Sequence, residues 1–304
     1  FATAEVPAPR LFVAIARETG RQVVDFTPQA LSNTAWAFAT AEVPAPRLFA
    51  AIAREAEQKV VDFNEQNLSN TAWAFATAGV QAPELFAAIA REAERNVVDF
   101  TPRDLANTAW AFSLHGGEAD AAAALWEHAM EHACEVRLAE LKNENLVQLL
   151  QVRLALSVEA PHVRVETASE TLEGAMDQAA QRLASSAKAS RLHKQVSASL
   201  LQLGWPHDNE VSPSDACAGI LSVDMADVAA RVAVEVDGPS HFMRCGVTST
   251  EEYNGQTKWK TRLLEGMGWK VARVPYQIWD EAGSSEEEKN RILRKVMSGA
   301  GVVL

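Results

Sequence analysis

The chain has 304 residues, of which 48% are hydrophobic, and a formal net charge of −12 at pH 7. A chain of this length can form two domains with sizeable cores. The acidic balance argues against a protein that coats phosphates with a uniformly basic surface, although a local basic patch can still bind nucleic acid.

Other features of the composition exclude further classes. No apolar run approaches the roughly 18 residues of a membrane span, so we expect no membrane association. The three cysteines, Cys134, Cys217 and Cys245, are scattered, which fits a reducing compartment and predicts neither a disulfide framework nor a paired metal motif. Because the chain begins at Phe1 rather than Met, we expect a fragment or a processed chain.

A 37-residue repeat organises the N-terminal part of the chain. Residues 1–37 and 38–74 agree at 29 of 37 positions, and residues 38–74 and 75–111 agree at 27. A fixed period of this size predicts a solenoid of helical hairpins in which each unit stacks on the next. We therefore expect three helical-hairpin repeats over residues 1–112.

Each unit is predicted to contain two helices. Thr27 before Pro28 is typical of a helix N-terminus, and an apolar stripe follows it. A break at 42–44 separates this first helix from a second one, which runs from Ala45 to about Gln58. Alanine is abundant because closely stacked helices need small residues at their contacts.

An asparagine and a tryptophan recur at fixed places in every unit. The asparagines either bridge neighbouring helices through their amides or line the concave face and contact a ligand. The tryptophans are expected to pack between units, with base stacking as the alternative. These residues are Asn33, Asn70 and Asn107, and Trp36, Trp73 and Trp110.

Two other positions of the repeat carry residues that differ among the three otherwise near-identical units. Such variation suits recognition of one RNA base by each unit, but neutral drift on a solvated face explains it equally well. The varying sets are Gln29, Gln66 and Arg103, and Ala30, Asn67 and Asp104.

The period fades beyond residue 112. We expect degenerate repeats and capping helices over residues 113–205, because an array needs atypical end units. The predicted helices are Ala119–Val136, Asn145–Leu156, Ser169–Ser186 and Ser190–Leu203.

From residue 211 to residue 304 the pattern changes to strands that alternate with helices, which predicts a small α/β domain. Strands are expected at Ile220–Met225, Val232–Val236 and Trp269–Val274. Helices are expected at Gly255–Met267 and from Ser285, which begins a capping box, to about Met297.

The strand at 232–236 and its neighbours carry an acidic cluster. Because side chains alternate along a strand, Glu235 and Asp237 share one face. Asp224 and Glu235, on adjacent strands, could be the ligands of an Mg²⁺ ion. Lys260 or Lys258 could then orient water for phosphodiester hydrolysis, with Asp237 as the third acid of the site.

A turn is the alternative interpretation of the same residues. Asp237-Gly238 is a turn signal, and His241 would then be a hydrogen-bonded partner of that turn. Asp237 also stands where restriction-endonuclease-like sites place a lysine, and a carboxylate cannot donate to a developing phosphorane. This substitution favours a binding fold on a nuclease frame over an active nuclease.

Several segments resemble the RAP domain. They are V-A-V-E-V-D-G-P-S-H-F (232–242), N-G-Q-T-K-W-K-T-R-L-L-E-G-M-G-W-K-V-A-R-V-P-Y-Q-I-W (254–279), S-A-S-L-L-Q-L-G-W (197–205) and S-V-D (222–224). The resemblance covers a quarter to a third of the chain. The repeats, with L-x-N-T-A-W-A-F-A, resemble the heptatricopeptide or octotricopeptide units of FAST-kinase-like organellar proteins.

This resemblance implies a helical repeat solenoid followed by a small α/β domain of restriction-endonuclease-like type. It implies binding of single-stranded RNA in the mitochondrial matrix or a plastid, with roles in processing, stability or translation of transcripts and ribosomal RNA. It makes His241 the motif histidine and Lys258 and Lys260 the basic positions, to which Arg262 on the same helix is added as an RNA-binding candidate.

Three functions therefore compete. The first is an organellar RNA-binding protein that needs no cofactor, gripping RNA through the asparagines and through Gln29, Gln66 and Arg103. The second is an Mg²⁺-dependent endoribonuclease that uses Asp224, Glu235, Asp237 and Lys260. The third is a protein-interaction scaffold, which the acidity favours, and partners from the organellar RNA-processing machinery suit the first and the third.

Overall fold

The computed structural model describes residues 9–117, 119–130, 138–167, 169–186, 190–243, 252–302 and 304. Contacts divide the chain into two compact units. The helical unit is drawn from Phe1–Ala179 and Phe242–Trp259, and the sheet unit from Ala180–His241 and Lys260–Leu304. Each unit is described separately below.

Helices dominate the helical unit, and the ends of the repeat helices follow from their capping residues. The Oγ1 atom of Thr27 accepts a hydrogen bond from the backbone N–H of Ala30 at 3.2 Å, and Asn64 and Thr101 cap the equivalent helices of the next two units. The repeat helices are α1 (Pro9–Gln22), α2 (Pro28–Thr40), α3 (Pro46–Lys59), α4 (Glu65–Ala78), α5 (Pro83–Arg95) and α6 (Pro102–His115).

The even-numbered helices α2, α4 and α6 pack on one another more closely than α1, α3 and α5 do. Buried alanines such as Ala35, Ala72 and Ala109 permit this close approach because they have no bulk beyond Cβ. We call α2, α4 and α6 the first-helix row and α1, α3 and α5 the second-helix row.

One aromatic contact recurs where a second helix meets the first helix that follows it in the chain. Phe49 on α3 meets Phe75 on α4 edge-to-face, with ring centroids 5.0 Å apart. The same geometry joins Phe12 to Phe38 at 5.2 Å and Phe86 to Phe112 at 5.3 Å. Edge-to-face packing adds to the burial of these large rings, so each unit is fastened to the next by the same pair.

Beyond the third unit the array changes character. Helix α8 (Asn143–Glu159) packs against α6 in the place of a further first helix, and Gln151 Oε1 accepts a hydrogen bond from Trp110 Nε1 at 2.6 Å. Helices α7 (Ala119–His128) and α9 (Glu170–Ser186) flank it. The end of the helix predicted over 119–136 lies outside the described residues.

A short hairpin also belongs to the residues of the helical unit. Strand β4 (Phe242–Met243) pairs antiparallel with β5 (Glu252–Tyr253), and the rings of Phe242 and Tyr253 stack 4.6 Å apart. This hairpin has no counterpart among the strands expected from sequence.

The sheet unit is built on four strands in the order β1-β2-β3-β6. Strands β1, β2 and β3 pair antiparallel, whereas β3 and β6 pair parallel, as expected when a helix connects two strands of one sheet. The strands are β1 (Asp208–Val211), β2 (Val223–Asp227), β3 (Val232–Asp237) and β6 (Lys270–Pro275). The remaining helices of the chain are α10 (Arg191–Gln202), α11 (Gly255–Gly266), α12 (Tyr276–Glu281) and α13 (Glu286–Gly299).

Hydrophobic residues cover one face of this sheet. Val232, Val234 and Val236 of β3 form a core with residues from α10, α12 and α13. Side chains alternate along a strand, so Glu235 and Asp237 lie on the opposite face. Because that face is covered as well, all six residues of β3 are buried.

The structure confirms the expected fold class, a mostly helical N-terminal region followed by a small sheet and helix domain, and changes some boundaries. The strand expected at 220–225 begins later, at Val223, because Gly219 lies in a turn with a φ of 74°. Strand β1 and helix α12 were not expected. In the part of the chain that the structure describes, no helix is long and apolar enough to cross a membrane.

We expect Phe75→Ala to destabilise the array by about 3–5 kcal/mol, because it leaves a cavity at a recurring contact between units. Lower urea midpoints, followed by circular dichroism, would show this. Val61→Ala is the control: Val61 is 67% exposed, and exposed substitutions usually change stability by less than about 0.5 kcal/mol. Equal midpoints for the two variants would contradict this role for Phe75.

Candidate functional site

The recurring asparagines occupy matched places on the first-helix row. Asn33 is exposed, and Asn70 and Asn107 are half-buried. Within the described residues, their side chains make no hydrogen bond or ion pair with the protein. The structure therefore gives no support to amide bridges between helices and leaves these amides available to a ligand.

The first varying set lies one turn before the asparagines. Gln29, Gln66 and Arg103 are all exposed. Residues four apart on a helix share one side, so each first helix presents two polar side chains together, as Gln29 and Asn33 do on α2. We call these three pairs of side chains the polar rows.

Two members of the second varying set lie inside the array instead, whereas the third, Ala30, is half-buried. Asn67 is buried and its Nδ2 donates to Ser32 Oγ at 3.2 Å, across neighbouring units. Asp104 is buried and accepts a hydrogen bond from Thr101 Oγ1 at 2.5 Å. Variation at this position therefore changes contacts within the protein rather than the surface that a ligand would meet.

The tryptophans pack between neighbouring first helices. The rings of Trp73 and Trp110 stack with centroids 6.4 Å apart and an interplanar angle of 25°. Trp110 is buried, whereas Trp36 and Trp73 are half-buried. Packing is thus the observed role of the stacked pair.

In the sheet unit, Asp237 is held by an arginine and a histidine. Arg273 of β6 donates two hydrogen bonds to its carboxylate, from Nε to Oδ2 at 2.8 Å and from Nη2 to Oδ1 at 2.5 Å. His241 Nδ1 lies 3.1 Å from Asp237 Oδ1. Burial alone would raise the pKa of Asp237, but hydrogen bonds from His241 and Arg273 outweigh it and lower the pKa to about 2.

Glu235 is fully buried and forms an ion pair with Lys260 of α11. Its other oxygen, Oε1, is buried without a hydrogen-bond partner among the described residues. Burial raises the pKa of Glu235, and the nearby charge of Asp224 adds to this, although Lys260 opposes both. The sequence-based candidates Asp224, Glu235 and Lys260 are therefore brought together.

Asp224 lies on the same side of the sheet, opposite Glu235 on the adjacent strand. Its Oδ2 accepts a hydrogen bond from the backbone N–H of Val236 at 2.7 Å, and its Oδ1 lies 3.6 Å from His193 Nδ1. Burial would raise the pKa of Asp224, but the hydrogen bond with His193 and the charge of Lys260 lower it. Hydrogen bonding to Asp224 in turn raises the pKa of His193.

The basic candidates on α11 have different environments. Lys258 is exposed, and its Nζ donates to the backbone oxygen of Gly79 at 2.9 Å, both residues belonging to the helical unit. Arg262 is half-buried, and Lys270, on β6, is exposed. Lys260 is thus the lysine of this set that is paired with Glu235.

Two residues of this cluster escaped the sequence analysis. Arg273 interrupts the otherwise apolar strand V-A-R-V-P, and an arginine within a buried strand is a signal that a buried acid needs a partner. His193 gave no such signal, because it lies in a helix remote in sequence from the acids.

The cluster could hold a cation between Asp224 and Glu235, the two acids that the sequence analysis names as Mg²⁺ ligands. Asp224 and Glu235 present carboxylate oxygens on adjacent strands, which suits Mg²⁺. Asp237 is already paired with Arg273 and contacts His241. Its role is therefore to fix β3 to β6 and to the turn at 239–241.

We expect Asp237→Asn to reduce the free energy of unfolding at pH 7 by about 3–5 kcal/mol, because it leaves Arg273, whose side chain is only 12% exposed, without its counter-ion. The folded pKa of about 2 lies below the roughly 3.9 of an unfolded aspartate. Asp237 therefore contributes fully to the free energy of unfolding above the unfolded pKa of roughly 3.9. This contribution is lost as the pH falls towards the folded pKa of about 2.

Urea midpoints at pH 7, 4 and 2 test this expectation. The wild type should lose stability between pH 4 and 2 more steeply than Asp237→Asn does. Asp215→Asn, at an exposed position, is the matched control and should follow the wild type. Parallel pH profiles for wild type and Asp237→Asn would contradict the ion-pair account.

Comparisons with known proteins bear on the C-terminal part of the chain. A curated relative, "RAP domain-containing protein, chloroplastic" from Oryza sativa subsp. japonica, is 25% identical over 166 residues, which are 54% of this chain and 24% of that protein. The chain thus spans about a quarter of the length of that relative. Residues 234–296, which include Glu235, Asp237, Lys260 and Arg273, match the family model of the RAP domain. The expected resemblance is thereby confirmed, and the C-terminal part of the chain carries a RAP domain.

Proposed function

We propose that this protein binds single-stranded RNA in an organelle and acts in the processing, stability or translation of organellar transcripts or ribosomal RNA. The polar rows of the first helices would grip the RNA, and the RAP domain would assist. No cofactor is needed for this function.

The proposal rests on the recurring asparagines, whose side-chain amides make no hydrogen bond within the described residues. Asn33, Asn70 and Asn107 stand at equivalent places on a regular frame, and within the described residues no protein group uses their hydrogen-bonding capacity. An amide has two donors and an acceptor, which suits the edge of a nucleotide base. Core packing gives no reason to keep, in all three units, an asparagine that is not buried.

Spacing and variation support the same proposal. Packed helices lie roughly 8–10 Å apart, so the polar rows form a regular series along which an extended strand can lie. Helical-repeat RNA-binding proteins can read one base with two or three side chains of each unit. Here the asparagine would be the constant contact, and Gln29, Gln66 and Arg103 the contacts that differ between units.

The chloroplastic relative bears on the organelle in which the protein acts, and the RAP domain offers a second surface for RNA. The chloroplastic relative supports a plastid, with the mitochondrial matrix as the alternative. Within the RAP domain, the exposed Lys258 and the half-buried Arg262 are the more accessible basic candidates. Lys260 and His241 are engaged by Glu235 and Asp237.

An RNA titration tests the proposal. We expect labelled single-stranded RNA to bind the protein at micromolar concentrations or below, and the triple variant Asn33→Ala/Asn70→Ala/Asn107→Ala to bind at least about tenfold more weakly, since it removes three contacts worth about 0.5–1.5 kcal/mol each. Arg103→Gln should reduce the slope of log affinity against log salt by about 1.

The control and the contradicting result are equally specific. Gln22→Ala/Gln58→Ala removes exposed amides from the second-helix row and should bind like the wild type. Absence of salt-sensitive binding at micromolar protein would contradict the RNA proposal and favour a protein-interaction scaffold.

A metal-dependent endoribonuclease is the second candidate, favoured by the Lys260–Glu235 ion pair beside Asp224. Such a lysine can orient water beside a metal held by two carboxylates. Against it, Glu235 is fully buried and Asp237 is engaged by Arg273. These two features favour binding over catalysis.

Cleavage assays separate the two candidates. If the protein is a nuclease, it should cut single-stranded RNA in Mg²⁺ or Mn²⁺, Glu235→Gln should abolish cutting, and Glu265→Gln, an exposed acid on the same helix as Lys260, should leave it intact. RNA that stays intact with the wild type, or cutting that survives Glu235→Gln, would rule the nuclease out.

A further inference from the structure

A histidine and two carboxylates from three elements converge within the sheet unit. His193 comes from α10, Glu210 from β1 and Asp224 from β2. One ligand atom from each lies within 4.8 Å of the others. Sequence analysis singled out only Asp224 of these three.

The distances match those between neighbouring ligands of one metal ion. His193 Nδ1 lies 3.4 Å from Glu210 Oε1 and 3.6 Å from Asp224 Oδ1. Zinc binds imidazole nitrogen and carboxylate oxygen at about 2.0–2.2 Å in tetrahedral geometry, which separates neighbouring ligand atoms by about 3.3 Å. Small side-chain adjustments therefore suffice to bring all three atoms into coordination.

The histidine is oriented for this role by a fourth residue. Its Nε2 lies 3.0 Å from Asn209 Oδ1, so Nε2–H can donate to the amide oxygen and leave the lone pair of Nδ1 directed at the two carboxylates. Metal-binding histidines almost always have such a partner on the other ring nitrogen. His193 is 4% exposed, which holds the ring in place.

The charges around His193 also favour a bound cation. Glu235, opposite Asp224 on the next strand, is fully buried, and its Oε1 lacks a hydrogen-bond partner among the described residues. Glu210 and Asp224 both lie beside His193, whereas Lys260 is already paired with Glu235. A divalent cation would offset this excess of negative charge.

We propose that His193, Glu210 and Asp224 form a binding site for a divalent transition-metal ion, with Zn²⁺ as the best match to one imidazole and two carboxylates. Water completes the coordination on the side of Glu210, whose side chain is 39% exposed. The ion ties α10, β1 and β2 together. This site is independent of the proposed RNA binding and differs from an Mg²⁺ site between Asp224 and Glu235 by its use of His193 and Glu210.

Zinc titration of the full chain tests the proposal. The chelator-treated protein, titrated calorimetrically with Zn²⁺ and then desalted for metal analysis, should retain one ion per chain. His193→Gln and Glu210→Gln should each weaken binding about 100-fold, and Asn209→Ala about tenfold, since loss of an outer-shell partner costs about 10–100-fold in affinity. The zinc absorption edge should indicate nitrogen and oxygen ligands without sulfur.

Control variants identify the site and guard against misfolding. His162→Gln, whose side chain is 73% exposed, should bind zinc like the wild type. Circular dichroism checks the fold of each variant, and the exposed Glu210→Gln decides the matter if His193→Gln unfolds. No stoichiometric zinc on the wild type, unchanged binding by Glu210→Gln, or sulfur ligands at the absorption edge would each overturn the proposal.

Discussion

The sheet unit depends on the neutralisation of carboxylates inside a sheet that is covered on both faces. Glu235 and Asp237 lie on β3, all of whose residues are buried. Buried charges are strongly destabilising unless they are paired and hydrogen-bonded. Each acid receives its cation from a different element: Asp237 from β6 and Glu235 from α11. Parallel pairing of β3 with β6 places Glu235 and Asp237 on the Arg273 side of the sheet, so the ion pairs and the topology require each other.

The helical unit depends instead on close packing between its repeats, and its buried polar residues include Asn67 and Asp104, which are hydrogen-bonded within the array. The first-helix row approaches closely through alanines, and the phenylalanine pairs fasten each unit to the next. Polar side chains at Asn33 and its equivalents are then left outside a rigid, regular frame. Such a frame fixes the spacing of these side chains although they make no stabilising contact within the protein. Recognition of an extended ligand requires contact groups at fixed spacing.

Much of this arrangement could be predicted from the sequence because its causes are local. The 37-residue period, the Thr27-Pro28 start and the alternation from Val232 to Asp237 each depend on neighbouring residues, and the structure follows them closely. The RAP domain was recognisable because several motifs occur in order. Strand β1 was not predicted because its residues, D-N-E-V, are mostly polar and exposed. They show no hydrophobic alternation that would indicate a strand.

The partners of the buried acids were not predictable in the same way. Arg273 and Lys260 are 36 and 25 residues away from the acids they bind, and only the folded sheet brings them there. His193 is remote for the same reason. Conversely, the sequence left open whether Asn67 and Asp104 vary because of a ligand or by drift on a solvated face, whereas in the structure both residues are buried. Periodicity reveals which positions are equivalent but not which way each one points.

The recurring phenylalanine pair has a consequence for how such a protein can change over generations. Since each junction is made by the same two rings and the same capping pattern, removing or duplicating one 37-residue unit joins surfaces that already fit each other. Recombination between near-identical stretches of a gene would produce such changes in whole units. The length of the array can therefore evolve in steps of one helical hairpin and one polar row, without any new packing having to arise first.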